Sequence, residues 1–327
     1  MFFTCQLIEV KTVLITLSLL WQYNAFCQSD STTTDTSIIT QVVFLGTGTP
    51  VPNADRSGPS VAILVNNTPY LVDLGPGVVR RAAAGFRKGI TGLHYSKLKV
   101  AFITHLHSDH TLGYPDFIFT PWVVGRRGPL KVFGPKGIKE MTDHILSAWK
   151  EDIDIRENGL GKDLPDRSID GYHVDVKEIL PGIIYKDSNI TVTAFLTAHG
   201  DWKQTYGYRF QTPDKIIVIS GDTRPTQAVI DNCNGCDILI HEVYTEKAGQ
   251  ESGPEWKAYR SKYHSSSSQV AEIATKAQPK LLVLYHQQFG LNKKQGIILS
   301  TEQDLINEMN RFYKGRFISA DDLEIIR

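Results

Sequence analysis

The chain has 327 residues, 41% apolar and 21% charged, the balance of a soluble globular protein with core enough for one large domain or two small ones. Lys plus Arg and Asp plus Glu each total 35, so the formal net charge is zero. A neutral chain has no global field to steer a polyanion, which argues against a dedicated nucleic-acid binder, although a local basic patch would not show in the sum.

In chain order, the first feature is a leader. Lys11 precedes an apolar run, Val13 to Leu20, and Ala25-Phe26-Cys27 offers small residues at the two positions a signal peptidase inspects. Residues 1–27 therefore read as a signal peptide, placing the mature protein in the periplasm or outside the cell; an uncleaved membrane anchor is the competing reading. The run is shorter than the roughly 20 residues that span a bilayer, so no stable membrane span is expected after cleavage. Residues 28–40, rich in Ser and Thr, read as a disordered lead-in, and residues 41–327 as a single domain. Cys5 and Cys27 lie in the leader. Cys233 and Cys236 form one C-x-x-C, a weak zinc signal when alone; in an oxidising compartment a short disulfide or two quiet thiols fit better.

The strand Thr40 to Leu45 ends in Gly46-Thr47-Gly48-Thr49-Pro50. Strands Val61–Val65 and Tyr70–Leu74 follow around Asn66-Asn67, then a helix Val78–Phe86, a buried strand Lys99–Thr104, a strand Lys131–Phe133 and a helix Ile138–Trp149. Glu151 to Pro181 reads as an acidic loop. The second half gives strands Ile190–Leu196, Tyr206–Gln211, Ile216–Ser220, Ile238–His241 and Leu281–Tyr285. Helices are expected at Gln227–Asn232, Gln269–Ala277 and Glu302–Tyr313. Paired sheets with helices outside would satisfy this α/β pattern.

The segment carrying most chemistry is Thr104-His105-Leu106-His107-Ser108-Asp109-His110. It follows directly on an apolar strand, where a sheet ends and a pocket can open. His105 and His107 are two apart, so extended backbone aims both the same way, and Asp109 and His110 can turn toward a second ion. Imidazole nitrogen and carboxylate oxygen suit zinc.

Here the chain resembles the metallo-β-lactamase superfamily, whose hallmark is H-x-H-x-D-H, from about Val42 to the C-terminus. The resemblance implies a four-layer αββα sandwich with a dinuclear metal site at the edge of the paired sheets. It further implies that His105, His107 and His199 bind the first of two Zn2+ ions (Mn2+ or Fe2+ being alternative occupants), that Asp109, His110 and His286 bind the second, and that Asp222 bridges them. His199, Asp222 and His286 all follow expected strands. Two such ions can hold a hydroxide as nucleophile at neutral pH.

His241-Glu242 and His264-Ser265-Ser266 resemble segments of ribonuclease Z-like phosphodiesterases. The likeness makes His241, paired with Asp109, the candidate acid and His264 the candidate oxyanion stabiliser. Two departures stand out. The P-x-K-x-R-N loop of that family is here Pro52-Asn53-Ala54-Asp55-Arg56-Ser57, and the basic RNA-gripping arm is replaced by the acidic stretch with Asp152, Asp154, Glu157, Asp163, Asp166 and Asp170. Closer likeness is to the arylsulfatase-like branch, through Leu45-Gly46-Thr47-Gly48-Thr49-Pro50, Asp55-Arg56-Ser57-Gly58-Pro59, Leu71 to Arg81 and His107 to Asp116. The expected activity is thus an exported zinc-dependent hydrolase of small anionic sulfate or phosphate esters. The alternatives are a ribonuclease Z-type tRNA 3′-processing endonuclease and a non-catalytic binding member of the fold. Trp202 and Trp122 are candidate stacking residues, or packing; Arg56 is a candidate contact for a substrate oxygen, or a surface residue; Arg80-Arg81 and Arg126-Arg127 read as solvated. Members of the superfamily are often homodimers, which this sequence does not specify.

Overall fold

Along the strand Thr40–Gly46, successive side chains fall into different cores: Val42 and Phe44 into one, Val43 and Leu45 into another. Strand side chains alternate between faces, so a strand buried on both sides belongs to a sheet covered on both faces. The same split recurs in Ile238–Tyr244, where Ile238 and Ile240 join the first core while Leu239 and Val243 join a third. These residues come from a computed structural model that describes residues 40–163 and 168–327, all within one unit, Ile38–Arg327. The signal peptide read at 1–27, the lead-in to residue 39 and Asp166 lie outside the described residues. Among the described residues no helix is long and apolar enough to cross a membrane.

Two seven-stranded sheets result. The first runs Ile325–Ile326, Thr40–Gly46, Ser60–Val65, Thr68–Val72, Val100–Phe102, Leu130–Gly134, Val174–Glu178. The second runs Phe317–Ser319, Leu281–Gln288, Ile238–Tyr244, Ile216–Ile219, Tyr206–Gln211, Thr191–Leu196, Gly182–Lys186. The core shared by both sheets holds Phe44, Phe102, Tyr208, Phe210 and Tyr285. A second core packs the first sheet under the helices Val78–Arg87, Tyr114–Val123 and Ile138–Ala148. The third packs the second sheet under Gln227–Cys233, Ser267–Ala277 and Glu302–Phe312. Helix, sheet, sheet, helix are the four layers expected.

Local chemistry explains most boundaries. Asn66 and Asn67 take φ of 50° and 61°, the left-handed pair of a tight hairpin turn. Ser266 with Gln269 and Thr301 with Asp304 form capping boxes that start two helices. Two expectations fail. The acidic stretch is not a loop: it contains a helix, Lys150–Asn158, and a strand, Val174–Glu178. The helix is pinned by Lys150–Asp154 and Asp152–Arg156 pairs one turn apart and anchored by buried Ile153. Nor is Arg126 solvated; it is fully buried and donates to the carbonyls of Leu98, Phe117, Ile118 and Gly171. Arg81 pairs with Asp322 at 3.0 Å. Cys233 and Cys236 form a disulfide.

Candidate metal centre

Strand ends deliver the site. After Val100–Phe102 the chain bends at Thr104, is extended at His107, then turns into the short helix Ser108–Thr111. His105 Nε2 and His107 Nδ1 lie 2.9 Å apart, and His199 Nε2 lies 3.1 Å from His107 Nδ1. Three ring nitrogens thus converge on one point. Edges of a tetrahedron around zinc with nitrogen ligands at about 2.05 Å are about 3.3 Å, close to this spacing. Burial holds the three imidazoles neutral, His105 well below the usual histidine range, His107 below it and His199 at about 4, so their lone pairs are available. Their far nitrogens have neighbours: Thr104 Oγ at 3.0 Å from His105 Nδ1, the Tyr263 carbonyl accepting from His199 Nδ1 at 2.6 Å, and the Trp202 indole nitrogen at 2.9 Å from His107 Nε2.

A second group adjoins it. His286 Nε2 lies 3.1 Å from Asp109 Oδ2, and His110 Nε2 lies 3.5 Å from Asp109 Oδ2 and 3.4 Å from Asp222 Oδ1. Burial alone would lower His110 and His286, but the carboxylates of Asp222 and Asp109 raise both, with Asp73 adding to His110. The same histidines hold Asp109 and Asp222 below the ordinary carboxylate range against their burial. His110 Nε2 and Asp222 Oδ1 are buried without a hydrogen-bond partner among the described residues. Buried polar atoms left unpaired while facing one another at these distances are what a cation would satisfy. The groups His105–His107–His199, Asp109–His110–His286 and His105–His110–Asp222 each have donor atoms within 4.8 Å. The donor set therefore fits divalent metal, with Asp222 common to both halves.

Backbone irregularities aim these side chains. Gly221, φ 60°, turns the chain into Asp222 with Tyr206 and Thr104 so close that no Cβ would fit. His286 has φ 49° and is the unpaired residue where the ladder between Ile238–Tyr244 and Leu281–Gln288 slips. Asp73, φ 60°, accepts from Thr104 N at 2.8 Å and from His110 Nδ1 at 2.8 Å, fixing the His110 ring from behind. In the sequence Asp73 stood only as part of the Leu71 to Arg81 likeness, with no role assigned to it.

The expected pair of His241 with Asp109 does not form. His241 Nδ1 faces the Glu242 carbonyl at 2.7 Å, and its Nε2 has no hydrogen-bond partner among the described residues. Strand alternation sends His241 to the side of Leu239 and Val243, and Glu242 to the centre. Glu242 Oε1 lies 3.2 Å from His264 Nδ1 and accepts from the amides of Thr223 and Ser265. His264 Nδ1 is 3.9 Å from Asp222 Oδ2 and within 2.7 Å of Gln288 Nε2. Burial lowers His264 to about 4, and burial with the Asp222 charge raises Glu242 well above its usual range. In the sequence Glu242 stood only as the neighbour of His241 in the His-Glu segment, and Gln288 did not stand out. Arg56 lines the cavity beside Asp109, but its guanidinium is spent on Glu302, Asp321, Thr47, Gln287 and the Ala320 carbonyl. Trp122 is packed, its indole donating to the Ser168 carbonyl. Trp202 lies against His107, ring centroids 5.0 Å apart.

Comparison with known proteins agrees with this geometry. The family model described as beta-lactamase superfamily domain matches residues 68–287. A ribonuclease Z of Mycolicibacterium gilvum is 31% identical over 252 residues, 75% of this chain and 83% of that one. Another, from Mycobacterium sp. strain KMS, is 33% identical over 249 residues with the same shares. Among solved structures, the metallo-beta-lactamase fold protein YhfI from Bacillus subtilis superposes with TM-score 0.64 at 18% identity, covering 88% of this chain and 100% of that one. Human tRNase Z, short form, gives 0.59 at 21% identity, with 88% and 98% covered. With the layered sheets and the His/Asp clusters already in place, the chain belongs to the beta-lactamase superfamily and carries the metallo-β-lactamase fold.

Proposed function

We propose that this metallo-β-lactamase hydrolase is a phosphodiesterase of the ribonuclease Z type. The observation that carries the reading is a pair of cavities flanking the centre. One, about 610 Å³, lies beside His107 and includes Leu106, Trp202 and Tyr263; the other, about 600 Å³, includes Asp109, Leu112 and the loop from Thr49 to Gly58. A phosphodiester has two ester arms to fill them. A sulfate ester has one, so the arylsulfatase expectation leaves a cavity without a purpose. The ribonuclease Z relatives support the same choice.

In this reading His105, His107 and His199 hold one divalent cation, Asp109, His110 and His286 a second, and Asp222 both. The cations would supply Lewis acidity, polarising the ester oxygens and making water a nucleophile at neutral pH. The proton for the leaving oxygen comes from the His264–Glu242 pair. Burial and the neighbouring Asp222 charge favour the protonated form of Glu242, and His264 touches it through Nδ1 at 3.2 Å, so in this reading Nε2 is the atom that meets the leaving oxygen. His241 has no part in this relay.

A second reading keeps the chemistry and changes the substrate. The leader-like residues 1–27 point to export, and the helix Lys150–Asn158 carries Glu151, Asp152, Asp154 and Glu157, a poor surface for an RNA backbone. The deciding experiment assays the zinc-loaded chain on bis(4-nitrophenyl) phosphate, 4-nitrophenyl sulfate and precursor tRNA. Faster diester than sulfate hydrolysis is expected; 3′ trimming of the RNA selects the first reading, and its absence the second. A preference for the sulfate sinks both. Across diesters of graded leaving-group pKa, His264→Ala should slow the poor leaving groups most and His241→Ala should not change the slope. The reverse would restore His241 as the acid.

A further inference from the structure

The cavity beside His107 has a construction of its own. One wall is Trp202, 37% exposed although it abuts a buried centre. The other is Tyr263, stacked on Tyr259 with ring centroids 4.2 Å apart and planes within 10°. Tyr263 is held in place: its hydroxyl donates to Asp201 Oδ2 at 3.0 Å, and Gly200 presses on its ring so closely that a Cβ would sit 1.9 Å from it. Leu106 and Pro135 add apolar surface, and Lys136 and Lys203 line the cavity as exposed residues. Neither ammonium has a carboxylate partner among the described residues. Gln204, between strands of the second sheet, accepts from the Lys136 amide at 3.0 Å, so the rim ties one sheet to the other.

From this geometry we infer that the cavity is a base-stacking subsite, taking one planar nucleobase of a nucleotide ester on Trp202, with Lys136 and Lys203 meeting its phosphate side. About 610 Å³ lies within the range of small-ligand sites and admits a nucleoside. Aromatic walls with lysines at the mouth are the combination that binds single nucleotides of any sequence, because every base has a π face and every phosphate a charge. An aliphatic arm would cover the exposed indole but could not stack on it as a planar ring does. The inference rests on the phosphodiesterase reading for the origin of the nucleotide, while its own test needs no turnover.

That test is calorimetric titration of the zinc-loaded full chain with adenosine 5′-monophosphate and with ribose 5-phosphate, which share the phosphate and differ in the base. A stacked base is worth about 10-fold or more in affinity. The wild type should prefer the nucleotide by that factor; Trp202→Ala should bring the two ligands within about twofold of each other, and Trp202→Phe should keep most of the preference. Equal affinities in the wild type overturn the subsite whatever the variants do. A preference that survives in Trp202→Ala, with zinc content unchanged, also overturns it. Nucleotide preference in a protein that hydrolyses sulfates and not diesters would keep the subsite and discard the phosphodiesterase reading; a diesterase without the preference would do the opposite.

Discussion

The carboxylate of Asp73 touches no candidate cation position, yet it should control one. It receives Thr104 N at 2.8 Å, Thr104 Oγ at 2.9 and 3.1 Å, and His110 Nδ1 at 2.8 Å. Asp73→Ala strands the buried Thr104 amide and His110 Nδ1, each worth about 1–3 kcal/mol, while the Thr104 hydroxyl can rotate elsewhere. It also places Ala at φ 60°, a further cost of about 1 kcal/mol. A total loss of about 3–7 kcal/mol follows. Asp73→Asn is more discriminating. Asn tolerates the left-handed conformation and its oxygen still serves Thr104, but its amide turns an N–H toward the ring nitrogen that donates when Nε2 binds metal. Metal affinity on the His110 side should fall about 10- to 100-fold, the usual effect of losing such a supporting carboxylate. Competition with a chromophoric chelator measures both affinities, and urea unfolding of the metal-free protein measures stability. If Asp73→Asn binds two metals as the wild type does, or loses as much stability as Asp73→Ala, the orienting role is refuted.

Two further outcomes follow from groups already described. Folding lowers His199, His241 and His264 to about 4, so between pH 6.5 and 4 the unfolded chain binds more protons and the metal-free protein should lose stability as pH falls through that window, by up to about 1.4 kcal/mol per pH unit for each histidine. The raised His110 and His286 work in the other direction: they stabilise below the ordinary histidine range, and that contribution is lost as pH rises through their folded values. Urea midpoints at pH 5, 6 and 7 check the acid limb, which His241→Gln should make shallower; a flat profile would contradict it. Arg56→Ala removes a guanidinium that ties the early loop to Glu302 and Asp321 of the C-terminal segment, whose carboxylates stay solvated without it. It should cost about 1–2 kcal/mol in stability, mostly from the lost hydrogen bonds to Thr47, Gln287 and the Ala320 carbonyl, and leave KM for an anionic ester within about twofold; a large rise in KM with unchanged stability would return Arg56 to the substrate.

Much of this was legible because the pattern was dense. The strand before His105 and the i, i+2 spacing of His105 and His107 required no tertiary knowledge, and the later candidates could be ordered by the strands they follow. Elements whose local signals conflict were missed. The helix Tyr114–Val123 begins with Pro115 in its first turn, contains Pro121 and is buried on most sides, so neither amphipathic period nor propensity marks it. The helix Pro254–Tyr263, which carries Tyr259 and Tyr263, is polar through most of its length and buries only Arg260. Arg56 and Arg126 look solvated in a sequence because nothing local reports that their partners lie 9 to 265 and 8 to 45 residues away.

The His241 expectation failed for a reason that also explains His286. In Ile238–Tyr244 the inner face carries Ile238 and Ile240, so parity puts Glu242 inside and His241 outside. In Leu281–Gln288 the inner face carries Leu281, Val283 and Tyr285, and the outer face Leu282 and Leu284. By the same parity His286 would point outward, away from Asp109. It does not, because the ladder pairs Glu242 with Tyr285 and Val243 with Gln287, leaving His286 as the extra residue of a bulge at φ 49°. A bulge re-aims one side chain without disturbing those before it, at the cost of left-handed backbone in a residue that gains nothing from it locally. Parity predicts the glutamate and misplaces the histidine; only register, set by a neighbouring strand more than forty residues earlier, resolves both. A motif names the residue types near a centre, but the pairing of strands decides which of two adjacent residues, His241 or Glu242, faces His264.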